Sequence, residues 1–256
     1  MSHSSFDDLA QTMKRLRAPD GCPWDRAQTL TSLKPFLIEE TYEVIDAIDC
    51  GDETEHLEEL GDLLFQIVFQ SQIRSEHGGF GFYDVAQTIN DKMRRRHPHV
   101  FGEAVAETGS DVVHSWDKLK QLERATKEDT SRFAGIPKSI PGLLKAQRLG
   151  EKASRFGLDW SSSEGPVEKI REELTEFEEA HAAQDHGERE SEFGDLLFTL
   201  VNLARHLGID AENAINHANR KFESRARIVE SEVNQDPAPT PDAVHRAWLN
   251  AKRQHP

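Results

Sequence analysis

The chain has two cysteines in 256 residues, Cys22 and Cys50. That is too few for a disulfide framework, and no CxxC pair suggests zinc. Long apolar runs are missing as well: LLFQIVF at 63–69 falls far short of the ~18 residues of a membrane span. The opening MSHSSFDDLA lacks the basic-then-apolar order of a secretion signal. These absences set the expectation of a cytoplasmic protein in a reducing compartment, with no membrane partner. Positive charge is scarce: 31 Lys and Arg stand against 46 Asp and Glu, a formal charge of −15. A general nucleic-acid binder is thereby excluded, because it needs a basic face to displace counterions. A small anionic substrate is still allowed if a metal or local lysines and arginines cancel the field. No segment sustains period-two alternation, which argues against a sheet. There is no GxxxxGK[ST], HExxH or nucleophile elbow. GGFGF at 78–82 reads as a flexible loop, and His97-Pro98-His99 as a helix stop.

What the chain does have is a repeat. Glu39-Glu40-Thr41-Tyr42-Glu43 returns as Glu172-Glu173-Leu174-Thr175-Glu176, 133 residues on. At the same offset, Glu58-Glu59-Leu60-Gly61-Asp62-Leu63-Leu64-Phe65 returns as Ser191-Glu192-Phe193-Gly194-Asp195-Leu196-Leu197-Phe198. The run Asn90–Arg96 is echoed by Asn219–Arg225, and Trp116 by Trp248, at slightly different offsets, as loop insertions between fixed elements would produce. The length suits two domains of about 125 residues each. The expected division is a first domain at 1–125, a polar linker at 126–141 with Gly135, Pro137 and Pro141, and a second domain at 142–256. Each unit reads as four helices. In the first, Ser32 is the expected cap of a helix with Pro35 in its first turn, an apolar 3–4 spacing through Leu37, Ile38, Tyr42, Ile45 and Ile48, and Gly51 as its stop. A second follows through Leu57, Leu60, Leu63, Leu64, Ile67 and Val68, and others are expected near 83–96 and 111–127. The second unit echoes this near 165–184, 188–207, 210–233 and 240–253. The fold class is therefore all-α, a tandem repeat of two four-helix domains.

Residues three apart share a helix face. Glu40 with Glu43, and Glu59 with Asp62, are such pairs; if their helices are antiparallel neighbours, four carboxylates converge. Glu173, Glu176, Glu192 and Asp195 repeat the arrangement. Four anions together repel unless a cation joins them, and Mg²⁺ takes carboxylate oxygens while leaving positions for water and phosphate. A solvated acidic face is the plainer reading of any single Glu-x-x-Glu, but these acids sit among leucines and recur in both units. Gly61 and Gly194, costly inside helices, suggest close approach by a neighbouring helix or a ligand. Lys92 with Arg96, and Lys221 with Arg225, are cationic pairs one turn apart, suited to clamping phosphate or simply to solubility. Trp116 and Trp248 could stack on a base or fill a core.

This ordered set resembles the MazG family of all-α nucleoside triphosphate pyrophosphohydrolases. The resemblance rests on RLRAPDGCPWDRAQTLTSLKPFLIEETYEVIDAI, EELGDLLFQIVF and RRRHPHVFGE in the first half. In the second half it rests on GLDW, EELTEF and EFGDLLFTLVNLARHLGIDAENAINHANRKFESR. It implies hydrolysis of nucleoside triphosphates to monophosphate and pyrophosphate, Mg²⁺ (with Mn²⁺ able to substitute) as cofactor, and a homodimer. It also implies that Glu173, Glu176, Glu192 and Asp195 hold the metal and that the second domain is the main catalytic one. Glu40, Glu43, Glu59 and Asp62 would be the first domain's metal set. By the same resemblance Lys169, Ile170, Arg171, Glu172, Glu173, Lys221, Arg225 and Trp248 would line the nucleotide site, with Lys92, Arg96 and Trp116 as first-domain counterparts. Where the family often has a lysine, this chain has Glu188, so either the phosphate contact is lost there or Arg189 takes it over. Glu172 is the candidate to orient or deprotonate the attacking water.

Two other readings compete. A di-iron bundle needs Glu-x-x-His on two helices, and Glu178–His181 is the sole candidate on an acidic helix, off the metal face. A non-catalytic nucleotide sensor would release no pyrophosphate. For the dimer, the apolar faces carrying Leu64, Ile67 and Val68, or Leu197, Leu200 and Leu203, are the expected contact surfaces.

Overall fold

A computed structural model describes residues 5–102, 108, 131–233 and 240–254. Among these there are helices and no strand. The chain divides into two compact units, Met1–Glu123 and Arg124–Pro256.

The first unit contains α1 (Ser5–Leu16), α2 (Pro23–Ala27), α3 (Lys34–Cys50), α4 (Glu53–Glu76), α5 (Phe82–Arg96) and α6 (Pro98–Phe101). Its centre is the α3–α4 hairpin, with α1 and α5 laid against α4. Gly51 closes α3 in the left-handed conformation at φ 73°, and Asp52 opens α4 by accepting from the Thr54 and Glu55 amides at 2.9 and 3.2 Å. Those bonds satisfy two of the orphan donors of a helix start. Met13, Leu33, Val68, Phe69 and Ile73 form the buried core, with Phe36, Leu64 and Phe65 packed on it. The helix stop at His97-Pro98 is observed between α5 and α6.

The second unit contains α7 (Gly142–Ser154), α8 (Glu164–Ala182), α9 (His186–His206), α10 (Ala211–Val233) and α11 (Pro241–Gln254). Here α8 and α9 form the central hairpin, α7 packs on α9, and α10 pairs with α11. The turn repeats that of the first unit: Asp185 accepts from the Gly187 and Glu188 amides at 2.9 and 3.0 Å. Gln184 stands where Gly51 stands in the first hairpin, at φ 57°.

Several sequence expectations need correction. Ser32 does not cap α3. Its hydroxyl accepts from the Thr29 amide at 2.9 Å while Thr29 Oγ1 accepts from the Ser32 amide at 3.1 Å, so both hydroxyls are spent on the turn before the helix. Leu33, already helical in conformation, precedes α3 instead. The apolar stripe of Ile38, Tyr42, Ile45 and Ile48 is exposed. The face of α3 that meets α4 is set by Leu33, Glu40 and Ala47, seven residues apart, the first and last of them fully buried. Val68 belongs to the core at 1% exposure and is unavailable to a partner, whereas Ile67 beside it is exposed. The helix expected near 111–127 lies outside the described residues.

Candidate metal centre

Each hairpin carries carboxylates within its seam. On α8, Pro166, Glu173 and Ala180 are buried seven residues apart, and Lys169, Ile170 and Phe177 are half-buried between them. On α9, Thr199 is buried and Glu192 and Leu196 are half-buried on the same side. The period that builds the packing surface therefore also places the acids in it. Carboxylate oxygens of Glu173, Glu192 and Asp195 lie within 4.8 Å of one another, and so do those of Glu40, Glu43 and Glu59 in the first hairpin. Glu173 is 4% exposed, an unusual place for a charge without a partner.

The electrostatics tie a fourth acid to each group. Glu192 is pushed above the usual glutamate range, first by desolvation and then by Glu176, Glu173 and Asp195. Glu40 is likewise raised by desolvation, then by Asp62 and Glu43, against a lowering hydrogen bond from Gln66. Desolvation, Glu43 and Asp62 raise Glu59. Glu176 and Asp62 thus act on their clusters from outside the close three-oxygen groups. Both donor sets suit a hard divalent cation: carboxylate oxygens, several charges and one exposed member, with a buried member, Glu173, in the second. A Cβ added at Gly61 or Gly194 would meet nothing within 4 Å, so no neighbouring helix among the described residues presses on them.

Lys169 touches the second cluster directly. Its Nζ donates to Glu172 Oε1 at 2.6 Å and pairs with Glu173 Oε1 at 2.9 Å, and these bonds raise the lysine's pKa. Glu172 itself is exposed. Ile170 lies in the seam and Arg171 faces solvent. Arg189 is turned to the hairpin bend, where its Nε donates to the Asp185 carbonyl at 3.2 Å and its Nη1 lies 3.5 Å from His181 Nδ1. On α10, Lys221 is exposed and Arg225 half-buried. Between them, Phe222 packs on Trp248 of α11 with ring centroids 5.4 Å apart, and Lys252 Nζ sits 5.6 Å from the Trp248 ring. Lys92 and Arg96 are half-buried on α5. Trp116 lies outside the described residues.

Two features escaped the sequence reading. Gln66 is buried on α4 and donates from Nε2 to Glu40 Oε1 at 3.3 Å, while its Oε1 is buried without a partner. The repeat could have singled it out, because Thr199 is its counterpart and the two residues differ inside otherwise matching segments. The second is Asp159, in the segment before α8. It accepts from Arg205 Nη1 and Nη2 at 2.9 and 2.5 Å and contacts His206 Nε2 at 2.9 Å. The Arg205 guanidinium, chiefly, holds Asp159 down at about 2. Next to it, Trp160 lies so close to Gly165 that an added Cβ would sit 2.2 Å from indole Cδ1. This lock fastens the approach to α8 onto the end of α9.

Residues 28–101 and 162–229 match the MazG nucleotide pyrophosphohydrolase domain. The chain is 43% identical to the nucleoside triphosphate pyrophosphohydrolase of Escherichia coli K12 over 98% of both chains. It is 46% identical to the nucleoside triphosphate pyrophosphohydrolase/pyrophosphatase MazG of Thermotoga maritima, over 90% of this chain and 88% of that one. It is also 38% identical to the uncharacterized protein YabN of Bacillus subtilis, over 98% of this chain and 52% of that one. With the domain matched in both hairpins and two of these relatives aligned over nearly their full length, the chain belongs to the MazG family.

Proposed function

We propose that the protein cleaves nucleoside triphosphates, standard or aberrant, into monophosphate and pyrophosphate with Mg²⁺ or Mn²⁺, as a cytoplasmic homodimer. It is a hydrolase acting on acid anhydrides, consistent with the names carried by its full-length relatives. The observation that carries the cation requirement is a close three-carboxylate cluster in each hairpin, built on the equivalent positions Glu40 and Glu173 and Glu59 and Glu192.

The second unit is the main catalytic one in this reading. Glu173, Glu192 and Asp195, with Glu176 beside them, would hold the cation. When bound, that cation supplies charge neutralisation at the phosphates and lowers the pKa of water. Phosphoryl transfer asks the protein mainly for alignment and charge compensation. Lys221 and Arg225 would take the phosphates and Trp248 the base. Glu172, exposed and held by Lys169, would accept the proton of an attacking water. Arg189, bound to the hairpin bend, would reach phosphate only after leaving that bend. The first unit's Glu40, Glu43, Glu59 and Asp62 would form a second cation site.

The test is product analysis with Mg²⁺ across ordinary and altered nucleoside triphosphates. Pyrophosphate is expected as the released product and excess EDTA should abolish turnover; orthophosphate as the main product refutes the reading. Glu192→Ala and Asp195→Ala should each lower kcat by two or more decades, about 3 kcal/mol of lost transition-state stabilisation. Glu43→Ala and Asp62→Ala should do far less.

A further inference from the structure

The two acidic clusters share two repeat positions, Glu40 with Glu173 and Glu59 with Glu192, yet they are neutralised differently. In the second hairpin a lysine ammonium holds Glu173, the cluster's buried member, at 2.9 Å, and Glu172 at 2.6 Å. At the same 133-residue offset, the first hairpin has Phe36, whose ring packs into the core and against Trp24. No lysine or arginine is ion-paired to Glu40, Glu43 or Glu59 among the described residues. The first cluster is met by an uncharged group instead, Gln66, 94% buried by its 6% exposure. Its amide bonds Glu40 at 3.3 Å and leaves Oε1 buried with no partner. A buried acceptor without a donor is costly. Beside three carboxylates, the ligand that would engage both kinds of oxygen is a cation.

We propose that Lys169 is a built-in counter-cation of the second cluster, which a divalent metal must displace, so that the second unit takes metal together with nucleotide while the first takes metal alone. This rests on the reading that Glu173, Glu192 and Asp195 hold the cation in the second unit. The competition is for lone pairs: Glu173 Oε1 cannot give its full strength to a metal while it accepts from Lys169. The lysine sits one turn before Glu173 on the same helix, so its flexible four-carbon stem can leave without moving the backbone. A triphosphate offers the freed ammonium a new anionic partner. Nucleotide thus removes the competitor as well as bringing ligands of its own. The first cluster, with Phe36 at that position, has no competitor to remove.

The experiment is a Mn²⁺ titration of the full-length, nucleotide-free protein, with free Mn²⁺ read by electron paramagnetic resonance. Two classes of site are expected: a tighter one lost in Glu43→Gln and a weaker one lost in Glu192→Gln. Lys169→Met should tighten the weaker class about tenfold or more, the scale of one unit charge removed at close range near a protein surface. The tighter class should be unchanged. Lys169→Gln serves as the second variant, and circular dichroism confirms that each is folded. A non-hydrolysable α,β-methylene triphosphate should strengthen the weaker class by a larger factor in the wild type than in Lys169→Met. Unchanged or weaker Mn²⁺ binding in both Lys169 variants, with the class still lost in Glu192→Gln, overturns the counter-cation role and leaves the metal assignment standing. A first-unit class no tighter than the second overturns the asymmetry. If Glu192→Gln removes no Mn²⁺ binding with or without nucleotide, the metal assignment itself fails.

Discussion

Asp159 shows how much one side chain can hold. Its carboxylate takes a forked grip from Arg205 and a contact from His206, and its pKa stands at about 2 against an ordinary 3.8. A carboxylate lowered in the folded state stabilises the fold above its unfolded pKa and loses that contribution as pH falls through the folded value. The window here runs from about pH 4 down to about pH 2, and the contribution at neutral pH is about 2 kcal/mol. Glu40, Glu59 and Glu192 shift the opposite way, so the whole protein's acid profile mixes both signs. The difference between wild type and Asp159→Asn isolates the lock. Urea unfolding should show Asp159→Asn less stable by about 2 kcal/mol at pH 7, with the gap closing toward pH 2. A gap independent of pH would assign the loss to packing instead of charge.

At the scale of elements, the two hairpins use the same bend with one difference. Gly51 and Gln184 both adopt positive φ, at 73° and 57°. Glycine does so freely, whereas a residue with a Cβ pays about 1–2 kcal/mol there. Gln184→Gly should therefore raise stability by about 0.5–1 kcal/mol once the larger chain entropy of glycine is subtracted. Denaturant midpoints at constant slope would measure it; a loss of stability would mean that the Gln184 side chain contributes contacts worth more than the strain. The helices themselves were legible from the repeat and the 3–4 spacing. The second unit's four expected spans fall within two residues of α8 to α11. What the pattern did not reveal was which stripe faces inward. On α3 the large apolar residues Ile38, Tyr42, Ile45 and Ile48 look like a buried face by composition, yet Ala47 and half-buried Glu40 hold the seam. Helix approach selects small residues at close contacts, and hydropathy does not register that. The same blindness hid Gln66, whose role depends on what lies across the seam.

On the scale of the molecule, apolar surface is left over. Leu174, Phe193, Leu197, Phe198 and Leu200 on the second hairpin are each 40–50% exposed, while the buried hydrophobic residues of that unit, among the described residues, are small: Ala134, Ala180, Val201, Ala211, Ala247 and Ala251. An exposed apolar face of this kind marks an interaction surface, and a self-complementary pairing is the commonest use. Light scattering should give about twice 29.0 kDa, and Leu197→Glu with Leu200→Glu should halve it. A wild-type mass of one chain at micromolar concentration would remove the dimer from the proposal. Of the apolar residues that sequence patterning offered for a contact surface, Leu197 and Leu200 are exposed, whereas Val68 is consumed by packing. The placement of the acids has a separate consequence. Every charged group of the second cluster, from Lys169 to Asp195, comes from a single helix–turn–helix stretch. A site confined to one continuous stretch is inherited whole when that stretch is copied. Duplication would have supplied two complete centres at once, and later substitution at positions such as 36 and 169, or 66 and 199, could assign them different work without rebuilding either scaffold.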